Sequence, residues 1–287
     1  MEATELIKRV RKIEIKTRGL TNQIFAGEYH SAFKGRGMAF SEVREYQYGD
    51  DIRNIDWNVT ARFNHPYIKV FEEERELTVM LVIDVSGSHE FGTNQRLKKT
   101  LMTELAAVLA FSAIQNNDKI GAILFSDRVE KFIPPKKGRQ HTLRVIRELI
   151  EFEPKNRTTN IAEGLRYFTN AIKKRSIAFV MSDFISADFE NALSIASRKH
   201  DLVALRIFDN REASIPSMGL VQVKDAETVE YTWIDTSDKY VREAYTQWWK
   251  SRQDSLNDMF LKRGVDNVMI RTDEDYVKPL IKLFKQR

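Results

Sequence analysis

The chain contains no cysteine, which excludes disulfide staples, a thiolate nucleophile and zinc–thiolate sites together. No apolar stretch approaches the ~18 residues that a membrane-spanning helix requires. The opening residues Met1–Arg9 hold no apolar segment of signal-peptide length. The expectation is a cytoplasmic protein without a membrane span. Charge of one sign is also scarce: 46 basic against 41 acidic residues leave a net charge of +5, which does not demand a nucleic-acid partner. The local excess lies in Lys8–Arg18, where Lys8, Arg9, Arg11, Lys12, Lys16 and Arg18 outnumber Glu14. No aromatic side chain interleaves these charges to stack bases. A solvated helix face is therefore the favoured reading, and nucleic-acid binding through this basic helix is the alternative. Also missing are a Gly-x-Ser-x-Gly elbow, a phosphate loop, a His-x-x-x-His pair, internal repeats and a Pro/Gly-rich linker. The five histidines, His30, His65, His89, His141 and His200, are scattered.

What is present is a soluble-type composition, 42% hydrophobic and 30% charged over 287 residues, enough for one large domain with a smaller one. The chain is organised around Leu77–Ser88. Val79–Ile83 is a short apolar run rich in β-branched residues, the pattern of a strand buried on both faces. It stops at Asp84, and Val85-Ser86-Gly87-Ser88 follows at once. Ligands of open α/β sheets bind at the carboxyl ends of strands, so Asp84, Ser86 and Ser88 offer hard oxygens where chemistry is expected. Such oxygens suit Mg²⁺.

Downstream, apolar periodicity alternates between strand and helix. Leu97–Ala113 has helical spacing, Lys119–Phe125 reads as a strand, and Arg128–Ile133 as an edge strand stopped by Pro134-Pro135. Leu143–Ile150 and Ile161–Ile172 read as helices, the second capped by Asn160. The strand Ile177–Met181 ends at Ser182-Asp183, repeating the pattern of an apolar run closed by a carboxylate. A helix over 188–199, a strand over Leu202–Phe208, a hairpin inserted at about 218–235, a long helix through Trp248-Trp249, a strand over Val265–Ile270 and a last helix complete the chain. The fold class is α/β, a mostly parallel sheet with helices on both faces. A helix over Leu6–Ile15 opens a small N-terminal subdomain, residues 1–75, ahead of the domain at 76–287.

The Asp-x-Ser-x-Ser pattern after a buried strand resembles the metal-ion-dependent adhesion site of von Willebrand factor A domains. Upstream, Gly35-Arg-Gly37, Phe40-Ser-Glu-Val-Arg-Glu-Tyr46, Gly49-Asp-Asp-Ile-Arg-Asn-Ile-Asp-Trp57 and Ala61-Arg62 are similar to the signature of DUF58 proteins. Arg36, Arg44, Arg53 and Arg62 against Glu42, Glu45, Asp51 and Asp56 suggest a buried ionic network fixing the subdomain, with a buried Trp57; a partner-binding face is the alternative, and the balanced charge favours the network. The resemblance implies a von Willebrand factor A-like, Rossmann-like sheet. It adds Thr159 and Asp183 to Asp84, Ser86 and Ser88 as a set for Mg²⁺, Mn²⁺ or Ca²⁺. Thr159 matches although Arg157-Thr158 replaces the usual glycine pair. It further implies a partner protein supplying an Asp or Glu to the metal, and an adaptor role beside a MoxR-type AAA+ ATPase. Two carboxylates and a metal also fit a metal-dependent hydrolase. With no histidine placed as a base, the expectation is a binding protein and not an enzyme.

Overall fold

The structure, a computed structural model, describes residues 39–72, 77–90, 97–186, 188–224 and 231–287. The expected helix over Leu6–Ile15, the basic run Lys8–Arg18, His30 and Gly35-Arg-Gly37 lie outside the described residues, as does the start of the second hairpin strand. Contacts divide the chain into two compact units, one spanning Phe33–Leu77 and the other taking in Thr78–Arg287.

In the first unit, β1 (Ala39–Glu45) pairs antiparallel with β2 (Tyr67–Glu72), and α1 (Trp57–Phe63) lies between them in sequence. The acidic residues of the Gly49–Trp57 signature each close a local turn. Asp50 accepts both Arg44 guanidinium nitrogens, at 2.9 and 2.7 Å, and the Gln47 N–H. Asp51 accepts from the Arg53 N–H. Asp56 caps α1 by accepting from the Asn58 and Val59 N–H groups, satisfying donors that a helix start leaves unpaired. These are local, partly solvated pairs and not the buried network expected: the Arg53 side chain is 87% exposed. Trp57 is 69% exposed, so the tryptophan expected in a core stands outside one.

The second unit is built on a six-stranded sheet in the order β10-β7-β6-β3-β4-β5. Its strands are β3 (Thr78–Asp84), β4 (Lys119–Phe125), β5 (Val129–Lys136), β6 (Ile177–Ser182), β7 (Asp201–Phe208) and β10 (Asp266–Arg271). All neighbours pair parallel except β4 and β5. The helices are α2 (Lys98–Gln115), α3 (Arg139–Glu151), α4 (Ile161–Ala171), α5 (Glu190–Lys199), the short α6 (Asn210–Ala213), α7 (Lys239–Lys262) and α8 (Val277–Lys285). On one sheet face, Leu165 and Phe168 of α4, Leu193 of α5 and Leu256 and Phe260 of α7 pack on Met80, Val82, Val180 and Ala204. On the other, α2 covers β3 and β4, α3 packs on α2 through Phe111 and Ile146, and Phe284 of α8 meets Phe179. Burial on both sides is why β3 and β6 are continuous apolar runs rather than alternating ones.

Pro134 and Pro135 do not stop β5, which runs through them to Lys136. As an edge strand, β5 needs no outward N–H at these positions, and the register shifts opposite Gly121. A Cβ there would lie 2.8 Å from the Ile133 carbonyl oxygen and 2.9 Å from the Pro135 nitrogen; glycine permits that approach. The expected hairpin is β8 (Leu220–Lys224) with β9 (Tyr231–Asp235), a separate two-stranded sheet. Among the described residues no helix is long and apolar enough to cross a membrane.

Candidate metal centre

The strand β3 pairs with β4 on one side and with β6 on the other, so the sequence order of the sheet reverses about β3. The crevice at the carboxyl ends of β3 and β6 is a topological switch point, where open α/β sheets place ligands. Asp84 ends β3 and Asp183 follows β6 directly.

Asp84 is fully buried. Its Oδ1 accepts from the Ser86 N–H at 3.0 Å and its Oδ2 from the Ser182 hydroxyl at 2.6 Å. Burial first, and the charge of Asp183 second, push its carboxyl up to about 7 against the hydrogen bonds that favour ionisation. The Ser86 and Ser88 hydroxyls lie 3.2 Å apart. Three of the expected residues therefore form one hydrogen-bonded chain, with Asp183 near enough to act on Asp84 electrostatically.

Thr159 arrives on the loop before α4. Two backbone bonds position that loop, Gly87 N–H to the Arg157 carbonyl at 2.8 Å and Asn160 N–H to the Ser126 carbonyl at 2.8 Å, while Val85 N–H to the Phe125 carbonyl at 2.8 Å continues the β3–β4 pairing beneath it. Asn160 caps α4 by accepting from the Glu163 N–H at 3.1 Å, and the Ser186 hydroxyl donates to the Thr159 carbonyl at 3.3 Å. The Thr159 hydroxyl itself is buried without a hydrogen-bond partner. Threonine hydroxyls can both donate and accept, and a buried one left unused costs about 1–3 kcal/mol. A hard cation satisfies it without a proton donor.

Asp183 is held from two sides. Its Oδ1 accepts from the Ile185 N–H at 3.0 Å, and its Oδ2 from the Lys98 ammonium at 3.1 Å. The next residue, Phe184, has φ 58°, in the left-handed region. A bulky side chain there costs on the order of 1–3 kcal/mol and persists only where its surroundings enforce it. The Phe184 ring is fully buried, edge-on to Phe260 at 5.2 Å. Its N–H donates to the Ser182 hydroxyl at 3.0 Å, and Arg252 of α7 donates to its carbonyl at 3.0 Å.

These residues fit a hard divalent ion: two buried carboxylates, one of them already facing the Lys98 ammonium, an unused buried hydroxyl, and serine hydroxyls on one strand-end loop. Among the described residues no three His, Asp or Glu side chains group as a metal cage, so an ion here would rest largely on hydroxyls and retained water. Behind the loop, a cavity of about 40 Å³ lined by Asp84, Ser86, Thr103 and Phe152 has room for water.

Sequence reasoning missed Ser182, Lys98 and Glu212. Lys98 bridges Asp183 to Glu212, whose Oε1 lies 2.5 Å from the ammonium. The signal for Lys98 was its position three and seven residues before Leu101 and Leu105, a lone charge on an apolar helical stripe. The strand Leu202–Phe208, apolar except for Arg206 and closed by Asp209, repeats in part the pattern that marked Asp84 and Asp183. Asp209 is indeed buried, accepting from Thr272 at 2.6 Å, and Glu212 caps back onto its N–H at 2.8 Å.

The chain is similar to several known proteins. An uncharacterized protein of Mycobacterium tuberculosis is 26% identical over 288 aligned residues, covering 99% of this chain and 90% of the relative. An aerotolerance-related membrane protein from Bacteroides fragilis aligns over 73% of this chain and 97% of its own, with 18% identity and a TM-score of 0.49. The SpRpn10 VWA domain aligns over 74% of this chain and 95% of its own, with 13% identity and a TM-score of 0.38. A family model described as "Protein of unknown function DUF58" matches residues 42–255, from the Arg/Asp signature of the first unit through the strand ends of the second. The chain belongs to the DUF58 family.

Proposed function

We propose that the protein is a cytoplasmic, metal-dependent protein-binding adaptor without catalytic chemistry of its own. In this reading Asp84, Ser86, Ser88, Thr159 and Asp183 hold Mg²⁺, with Mn²⁺ or Ca²⁺ as substitutes. The bound ion supplies a positive centre for the carboxylate of a partner Asp or Glu. The observation that carries this reading is the buried, partnerless Thr159 hydroxyl on a loop tied to the Asp84-Ser86-Ser88 turn. An acceptor-rich group of this kind, with few charges, leaves a bound dication's charge incompletely neutralised and attractive to an outside carboxylate. Two of the histidines have other engagements: His141 Nε2 lies 3.0 Å from the Ile120 carbonyl oxygen, and His200 is buried against Ser176 and Phe168. That supports binding over hydrolysis. The family resemblance makes a MoxR-type AAA+ ATPase the partner of choice.

The test is capture of a purified MoxR-type ATPase by immobilised protein. Retention in Mg²⁺, loss in EDTA and loss with Thr159→Val at unchanged thermal stability are expected. Retention through EDTA and release by salt alone would overturn the metal reading in favour of surface charge.

A further inference from the structure

Lys98 is the first residue of α2 and is 1% exposed. That is a poor place for a cation on two counts. Its charge has left water, and it stands at the helix end where the macrodipole is already positive. What holds it there is a pair of carboxylates from different elements, Asp183 just after β6 at 3.1 Å and Glu212 of α6 at 2.5 Å. Glu212 is itself anchored: its other oxygen accepts from the Asp209 N–H at 2.8 Å, and its carbonyl accepts from the Tyr245 hydroxyl at 2.8 Å. Lys98 thus neutralises Asp183 from the side, while the donors facing Asp84, the Ser86 N–H and the Ser86 and Ser182 hydroxyls, are neutral.

We infer that Lys98 is a positioning and charge-setting residue for the candidate metal centre: a resident cation that orients Asp183 and keeps divalent affinity low. The inference rests on the metal reading above and deepens it. With Lys98 in place, a dication meets only one uncompensated carboxylate, Asp84. The chain alone then binds the ion weakly, and a partner carboxylate is needed to complete its charge. A lysine serving only as a bridge between α2, β6 and α6 would leave metal affinity untouched when its charge is removed in a folded variant or when Glu212 is neutralised.

The experiment titrates the full chain with Mn²⁺, read by electron paramagnetic resonance and by the Mn²⁺-induced shift in melting temperature. Lys98→Arg should bind within about threefold of wild type. Lys98→Met should bind on the order of tenfold tighter, because a repulsive charge is gone. Glu212→Gln should bind several-fold more weakly, because Lys98 is then less compensated; it supplies the answer if Lys98→Met does not fold. Unchanged affinity in Glu212→Gln and in any folded Lys98→Met, with wild type binding Mn²⁺, overturns the role of Lys98 alone. If wild type binds no Mn²⁺, the underlying metal reading fails with it.

Discussion

Ser182, the last residue of β6, donates its hydroxyl proton to Asp84 Oδ2 at the end of β3 over 2.6 Å, and accepts the Phe184 N–H at 3.0 Å. One hydroxyl therefore links the two strand ends of the switch point and helps hold the left-handed turn that follows Asp183. Groups that orient a ligand side chain typically change metal affinity 10–100-fold when removed. Ser182→Ala should weaken Mg²⁺ binding on the order of tenfold and lower the melting temperature by a few degrees. Calorimetric titration beside a thermal melt checks it; a Ser182→Ala protein with wild-type Mg²⁺ affinity would place Ser182 outside the centre.

Asp84→Asn is expected to separate metal binding from stability. Burial and the Asp183 charge push the Asp84 carboxyl up to about 7, so above that pH the folded state carries a charge in an unfavourable place. The amide removes this cost and still accepts from the Ser86 N–H. At pH 8 without metal, Asp84→Asn should melt at or above the wild-type temperature, and Mg²⁺ should no longer raise it. A loss of stability in the metal-free variant would mean the ionised carboxylate is stabilising as it stands.

His200 predicts a loss of stability on mild acidification. Burial, then the neighbouring Lys199 and Arg175 charges, push its imidazole down to about 4. Its Nδ1 meets the Ser176 hydroxyl at 3.0 Å and its Nε2 is buried without a partner. Between the ordinary histidine value near 6.5 and about 4, the unfolded chain binds a proton that the folded chain refuses. The contribution of His200 to stability is therefore complete above that window and lost as pH falls through it, by on the order of 2 kcal/mol. Urea unfolding at pH 7 and pH 5 should show the loss in wild type, and His200→Leu should flatten it. An equal pH dependence in both would assign the effect to other groups.

Gly164 sits in α4, where alanine would ordinarily gain about 1 kcal/mol of helix propensity. Here a Cβ would lie 2.9 Å from the fully buried Phe125 ring, and overpacking of a core typically costs ~1–3 kcal/mol. The clash should win. Gly164→Ala is expected to lower the melting temperature by several degrees and, because α4 carries the Thr159 loop at its start, to weaken Mg²⁺ binding. A stabilised Gly164→Ala protein would show that β4 and α4 can move apart freely.

The local sequence was sufficient for most elements of the second unit, the end of β5 and the short α6 excepted, and for the order of the strand ends. Runs such as Val79–Ile83 and Ile177–Met181 are apolar because both sheet faces are covered, and a period or run of that kind is visible without neighbours. The pattern of an apolar run closed by Asp84 or Asp183 is likewise local, since a carboxylate can end a buried strand only where the sheet edge admits it. Tertiary structure alone decided what those carboxylates face. Lys98 and Asp183 are 85 positions apart, and Ser182 and Asp84 are 98 apart, distances over which no periodicity carries information. It also decided that Pro134-Pro135 could stay inside β5, because an edge strand has an unused side. And it decided that Trp57 is exposed, because burial depends on which surfaces meet and not on the hydrophobicity of one side chain.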